Sequence, residues 1–115
     1  MKAKMLLPTV AFILSVGVDW VHADVYIEGI SDCGEWAVAR KTNLAMALEH
    51  YVIGVLNGMS FATQKEFWQA KGVRISREAA YLWMDNYCQS HPFETILGAT
   101  IALFRERTGL VFPQR

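Results

Sequence analysis

Cys33, Cys88, His50 and His91 are the residues with the most chemical reach in this chain, and their spacing decides what they can do. A zinc site needs about four Cys, His or carboxylate ligands, commonly paired a few residues apart. Only Cys88 and His91 stand within a few residues of one another, too few for such a ligand set, so no metal and no other cofactor is expected. Nucleophilic catalysis needs a Ser, Thr or Cys beside a base and an orienting group. Ser31, Ser60, Ser76 and Ser90 all fall at expected helix starts, where capping accounts for them. His50 follows Glu49 off an expected core face and reads as a surface histidine, and His91 before Pro92 reads as a helix-start residue. Gly54-x-x-x-Gly58 lies inside an expected helix and is no phosphate loop. No Asp or Glu sits in an apolar run that would raise its pKa for acid catalysis. The chain reads as a non-enzyme.

The cysteines carry a different chemistry. Lys2 and Lys4, the apolar stretch from Met5 to Val18 and the Val21-His22-Ala23 triplet have the order of a secretory signal peptide, with cleavage expected after Ala23. The apolar run is short for a membrane span, which needs about 20 residues. The mature domain is therefore 24–115, exported to the periplasm, and it retains both cysteines of the chain. In an oxidising compartment with no other thiol, Cys33 and Cys88 are expected to form one disulfide. Closing so long a loop stabilises a small fold by roughly 4 kcal/mol on the chain-entropy view.

The elements that must position these residues are helical. Apolar residues recur at 3.6-residue spacing almost throughout, and the expectation is an all-α domain of four to five helices around one core. Asp24 to Ile30 reads as an extended arm. Asp32 and Glu35 form a capping box for a first helix carrying Cys33, Trp36, Ala37 and Arg40 along one side. A second helix is expected from about Thr42 to Gly58, with Leu44, Leu48, Tyr51, Val52, Val55 and Met59 facing the core. Ala47, Gly54 and Gly58 form a strip of small residues at its edge, which is expected to let another backbone approach closely. Ser60 is expected to cap a third helix carrying Phe61, Phe67 and Trp68, ended by Gly72. A fourth starts at Ser76 and runs to about Gln89, burying Ala79, Ala80, Trp83, Met84, Tyr87 and Cys88, with Asp85 on the wet side. A fifth opens at Pro92, carries Phe93, Ile96, Leu97, Ile101 and Phe104 at core spacing, and stops at Gly109.

Apolar residues are left over on faces that should be wet. Met46, Ile53 and Leu56 on the second helix, and Tyr81 and Leu82 on the fourth, point away from the core stripes. Exposed apolar patches on small proteins mark partner or self-association sites. Met46, Ile53, Tyr81 and Leu82 are therefore the expected partner-binding residues, with a homodimer as the rival use of the same surface. With 11 Lys+Arg against 11 Asp+Glu the chain has no basic excess for nucleic acid, so the partner is expected to be a protein.

Two families of small exported helical proteins share features with these residues. Cys33 near the mature start, a central helix, Cys88 at a helix end, then Gln89-Ser90-His91-Pro92 and a terminal amphipathic helix resemble the HdeA/HdeB-like layout of single-disulfide acid-stress chaperones. The run Tyr51-Val52-Ile53-Gly54-Val55-Leu56-Asn57-Gly58, then Val73, then Tyr87-Cys88-Gln89-Ser90-His91-Pro92 with Ala99 and Leu103, is similar to the Rap/Tai immunity proteins that neutralise type VI secretion amidases. The immunity family usually carries more cysteines than this chain, and the chaperones are richer in lysine and acidic residues. Both resemblances imply a helical periplasmic domain that acts by binding. The leading expectation is an immunity-type inhibitor of a cell-wall amidase, followed by an HdeA-like chaperone and, distantly, a small secreted enzyme.

Overall fold

Local capping chemistry sets most helix boundaries in the computed structural model, which describes residues 27–112. The signal peptide at 1–23, its cleavage after Ala23, and arm residues 24–26 lie outside the described residues. Helix α1 is Cys33–Lys41. The Asp32 carboxylate accepts from the Glu35 N–H at 2.8 Å, and Glu35 reaches back to accept from the Asp32 N–H at 3.0 Å. That is the expected capping box, and Arg40 and Lys41 complement the negative end of the helix dipole. Helix α3, Arg77–Ser90, starts as expected where the Ser76 hydroxyl accepts from the Ala79 N–H. Helix α4, Ile96–Thr108, ends as expected at Gly109, whose left-handed φ of 71° suits a residue without a Cβ.

Helix α2, Met46–Thr63, runs past its expected end. No third helix starts at Ser60, which lies inside α2 with its Oγ buried and unpartnered. A glycine such as Gly58 costs a helix interior only about 1 kcal/mol, too little to stop it. The chain instead leaves α2 at Gln64 in left-handed geometry and makes a single 3₁₀ turn at Ala70–Gly72. Phe67 still enters the core, but from this irregular connection, and its ring stacks on Phe104 with centroids 5.8 Å apart. Arg107 on α4 holds the connection down by donating to Phe67 O at 3.0 Å and Val73 O at 2.9 Å.

α4 also starts later than Pro92. Thr95 caps it by accepting from the Gly98 N–H, while the residues before it pair with the arm. Cys33 N–H donates to Glu94 O and Ile96 N–H to Ser31 O, an isolated antiparallel bridge between Asp32 and Thr95. Phe93, expected in the core, is consequently 96% exposed.

The result is an all-α domain of four helices, with no strand among the described residues. α4 touches each of the other three helices. Trp36, Val52, Leu56, Phe67, Met84, Ile96, Leu103 and Phe104 are the large side chains sealed in the core. Cys33, the first residue of α1, and Cys88, near the end of α3, are joined by a disulfide that spans 55 positions with Cα atoms 4.8 Å apart.

The core face of α2 is the expected one in part, with Val52 buried and Leu48, Tyr51 and Met59 half-buried against the core. Leu56, expected on the wet side, is buried, whereas Leu44 precedes the helix and is 77% exposed. α2 carries apolar residues on more than one side, so periodicity does not bound its face, and Leu56 and Ile53 pack inward beside the expected Val52. The strip of small residues turns outward: Ala47, Gly54 and Gly58 are exposed, and a Cβ added at Gly54 or Gly58 would meet nothing within 4 Å. The expected close helix approach there is overturned. Gly54→Ala should accordingly raise stability by about 1 kcal/mol, because alanine is the better helix former and has open space. A denaturation midpoint lowered by this substitution would mean that the strip is covered.

Candidate functional site

α1 and α3 meet through a charged cluster that the sequence did not announce. The Asp85 carboxylate reaches to α1 while its side chain stays 31% exposed. Its Oδ1 accepts from Trp36 Nε1 at 2.8 Å and from Arg40 Nε at 2.9 Å, and its Oδ2 accepts from Arg40 Nη2 at 2.9 Å. The remaining arm of the guanidinium, Nη1, donates to Glu49 of α2 at 2.8 Å. Arg40 also lies over the rings of Trp36 and Tyr81, 5.8 and 5.7 Å from their centroids. The hydrogen bonds to Asp85 hold the guanidinium protonated above its already high range. One arginine thus ties α1, α2 and α3 together. Planar, two-pronged recognition of a carboxylate by arginine gives such a joint a fixed geometry.

Tyr81 belongs to that joint. It is 7% exposed and its ring tilts against Trp36 at 6.2 Å, so its expected role as a surface anchor is overturned. The reason is helical phase: the inward face of α3 is Ala80, Tyr81, Met84 and Cys88, one position round from the expected stripe. Ile53 is half-buried and packs against the core, which corrects its placement on the open face. Met46 and Leu82 are open, at 69% and 59% exposure. They stand on different helices, Met46 at the first residue of α2 and Leu82 on α3.

The surface beside α1 was missed by the sequence reading. A shallow, almost wholly apolar groove runs along α1 over Gly34, Val38, Ala39 and Thr42 to Leu44, with Asp32 and Glu35 at one end. Val38 is 63% and Leu44 77% exposed. The signal was present in Val38, three residues beyond Glu35 and off the Cys33–Trp36 edge, but Leu44 had been counted into the second helix. On the other flank of α1 a polar groove is lined by Arg40, Lys41, Asn43, Asp85, Asn86 and Gln89.

The histidines and Ser60 do not assemble with one another. His91 Nδ1 is 2.9 Å from Tyr87 O, and its ring stacks on that of Tyr87 at 4.0 Å; His50 is exposed. Among the described residues, no three His, Cys, Asp or Glu side chains form a metal-binding group, and no helix is long and apolar enough to cross a membrane. Comparison of the chain with family models, curated proteins and solved structures finds no match.

Proposed function

We propose that the domain is a non-catalytic binding protein of the periplasm, an immunity-type inhibitor that docks on an exported cell-wall amidase and blocks it. The observation that carries this reading is the open apolar groove along α1, where Val38 and Leu44 are exposed by 63% and 77% on a disulfide-tied helical frame. Large apolar side chains grouped in water are a standing cost that a partner relieves. They are open in the folded state, so no acid-driven exposure is needed for binding, which favours an inhibitor of a folded enzyme over an acid-triggered chaperone. The similarity of the Tyr51–Gly58 and Tyr87–Pro92 segments to the Rap/Tai immunity proteins supports an amidase as that enzyme.

Export and inhibition are tested together. The periplasmic protein should begin at Asp24 by mass spectrometry. Titrated into an exported peptidoglycan amidase encoded beside it, the oxidised domain should stop amide cleavage at a one-to-one ratio near neutral pH. An amidase left fully active, with denatured clients kept soluble only in acid, would replace this reading with the chaperone.

A further inference from the structure

The two flanks of α1 differ in charge as well as polarity. Its buried edge carries Cys33 and Trp36. On one flank Arg40 is tied to Asp85 and Glu49, and Lys41 lines the polar groove there. The charged residues lining the apolar groove on the other flank are Asp32 and Glu35, both acidic. No lysine or arginine occurs from 27 to 39 to offset them.

Those carboxylates are fixed in place. The capping box engages Asp32 Oδ1 and Glu35 Oε2, and among the described residues Asp32 Oδ2 and Glu35 Oε1 make no hydrogen bond. The far wall is fixed as well. Thr42 donates to Val38 O through both its N–H and its hydroxyl, Asn43 takes a left-handed φ of 56°, and Leu44 N–H donates to Ala39 O at 3.0 Å. This turn sets Leu44 beside Val38 and Ala39 with its side chain in solvent. An apolar floor with two fixed negative groups at one end is a preorganised site for a complementary segment.

We propose that the α1 groove receives a partner segment bearing one large apolar side chain against Val38 and Leu44 and one arginine or lysine against Asp32 and Glu35. This rests on the binding-protein reading above and names the chemistry that the partner must present. Val38 stands three helix positions from Glu35 and the end of α1 beside Leu44 six, so an apolar anchor against both reaches to about 9 Å from the cation. In an extended segment that is a separation of about three residues. The acidic end also favours approach in one orientation and makes association sensitive to salt, since charges are screened over about 10 Å at 0.1 M.

Fluorescein-labelled eight-residue peptides with one leucine and one arginine three positions apart test this, beside matched peptides with glutamate in place of arginine. Full-length mature protein should bind the arginine peptide about tenfold more tightly than the glutamate peptide, and Leu44→Ser should weaken that binding by about tenfold or more. Glu35→Gln keeps the capping bond to the Asp32 N–H, so it should leave the melting curve unchanged while weakening the arginine peptide several-fold and flattening its salt dependence. Phe61→Ser, at an 82% exposed position of α2 outside the groove, should leave peptide binding unchanged. Equal affinity for both peptides, no saturable binding at millimolar concentration, or unchanged binding in Leu44→Ser overturns the proposal. Titration of the same variants against the amidase separates the two readings. Equal inhibition by wild type, Glu35→Gln and Leu44→Ser overturns the groove and leaves the inhibitor standing. Arginine-selective peptide binding without amidase inhibition supports the groove and removes the amidase.

Discussion

Replacing Cys33 and Cys88 together with alanine should lower the melting temperature by about 20 °C, the largest effect expected of any change in this chain. The bridge closes 55 positions, and a loop of that length removes about 4 kcal/mol of chain entropy from the unfolded state. A domain of this size has a total stability of about 5 to 10 kcal/mol, so the loss takes a large share. The native state suffers too. Both sulfurs lie in the core, with Cys33 0% and Cys88 2% exposed, so truncation also leaves a void beside Trp36 and Met84. Serine would be the worse replacement because it would bury hydroxyls among apolar neighbours. Thermal melts by circular dichroism, with wild type measured oxidised and reduced, read the effect directly. A shift under about 5 °C would mean that helix packing alone holds α1 to α3.

The second large effect sits at neighbouring residues with opposite outcomes. Tyr81→Ala should cost about 3 kcal/mol, because it removes a buried ring that packs on Trp36 and lies under Arg40. Leu82→Ala, one position on and 59% exposed, should stay within about 0.5 kcal/mol of wild type. Urea titrations of both variants would settle the phase of α3. Equal stabilities would return Tyr81 to the surface. The phenol adds a pH signature. Burial, followed by the charge of Glu49, pushes the Tyr81 phenol up from its ordinary value of 10.0, and burial does the same to Tyr51. The folded state therefore favours the neutral phenols, and the stability this provides is complete below pH 10 and is lost as pH rises through the raised folded values. Tyr81→Phe should keep most of the packing and lose less stability than wild type between neutral and strongly alkaline pH.

Which parts of the fold were legible follows from how local their causes are. The start of α1 is written in Asp32 and Glu35, the start of α3 in Ser76 and the stop of α4 in Gly109, and each acts within a few residues. The disulfide was legible because two cysteines leave one pairing. Ser60 carried the same local signal as Ser76 but lost to the continuing packing of α2, whose half-buried Met59 leans on the core. The orientation of α2 was legible only in part: Leu48, Tyr51, Val52 and Met59 meet the core as their spacing implies, but Leu56 joins them because the helix carries apolar residues on more than one side. Asp85 illustrates a longer-range failure. Beside Tyr81 and Leu82 it reads as a wet-face charge, yet its partners Trp36 and Arg40 are 49 and 45 positions away and become visible only when α1 docks. The α1 groove was missed for a related reason, since Leu44 reaches Val38 only through the left-handed turn at Asn43.

The placement of the disulfide gives the molecule an unusual tolerance of backbone scission. The bridge joins a point before α2 to a point near the end of α3, so the whole connection between those helices lies inside the covalent loop. A protease that cuts among exposed residues such as Lys71 or Arg74 would leave two pieces that cannot diffuse apart. Arg107 would go on gripping the carbonyls of Phe67 and Val73, and Phe67 would remain stacked on Phe104. Nicked molecules would run as a single band without reductant and as two with it, and in a compartment rich in proteases they would keep the α1 surface intact after a cut that would dismantle an unbridged bundle.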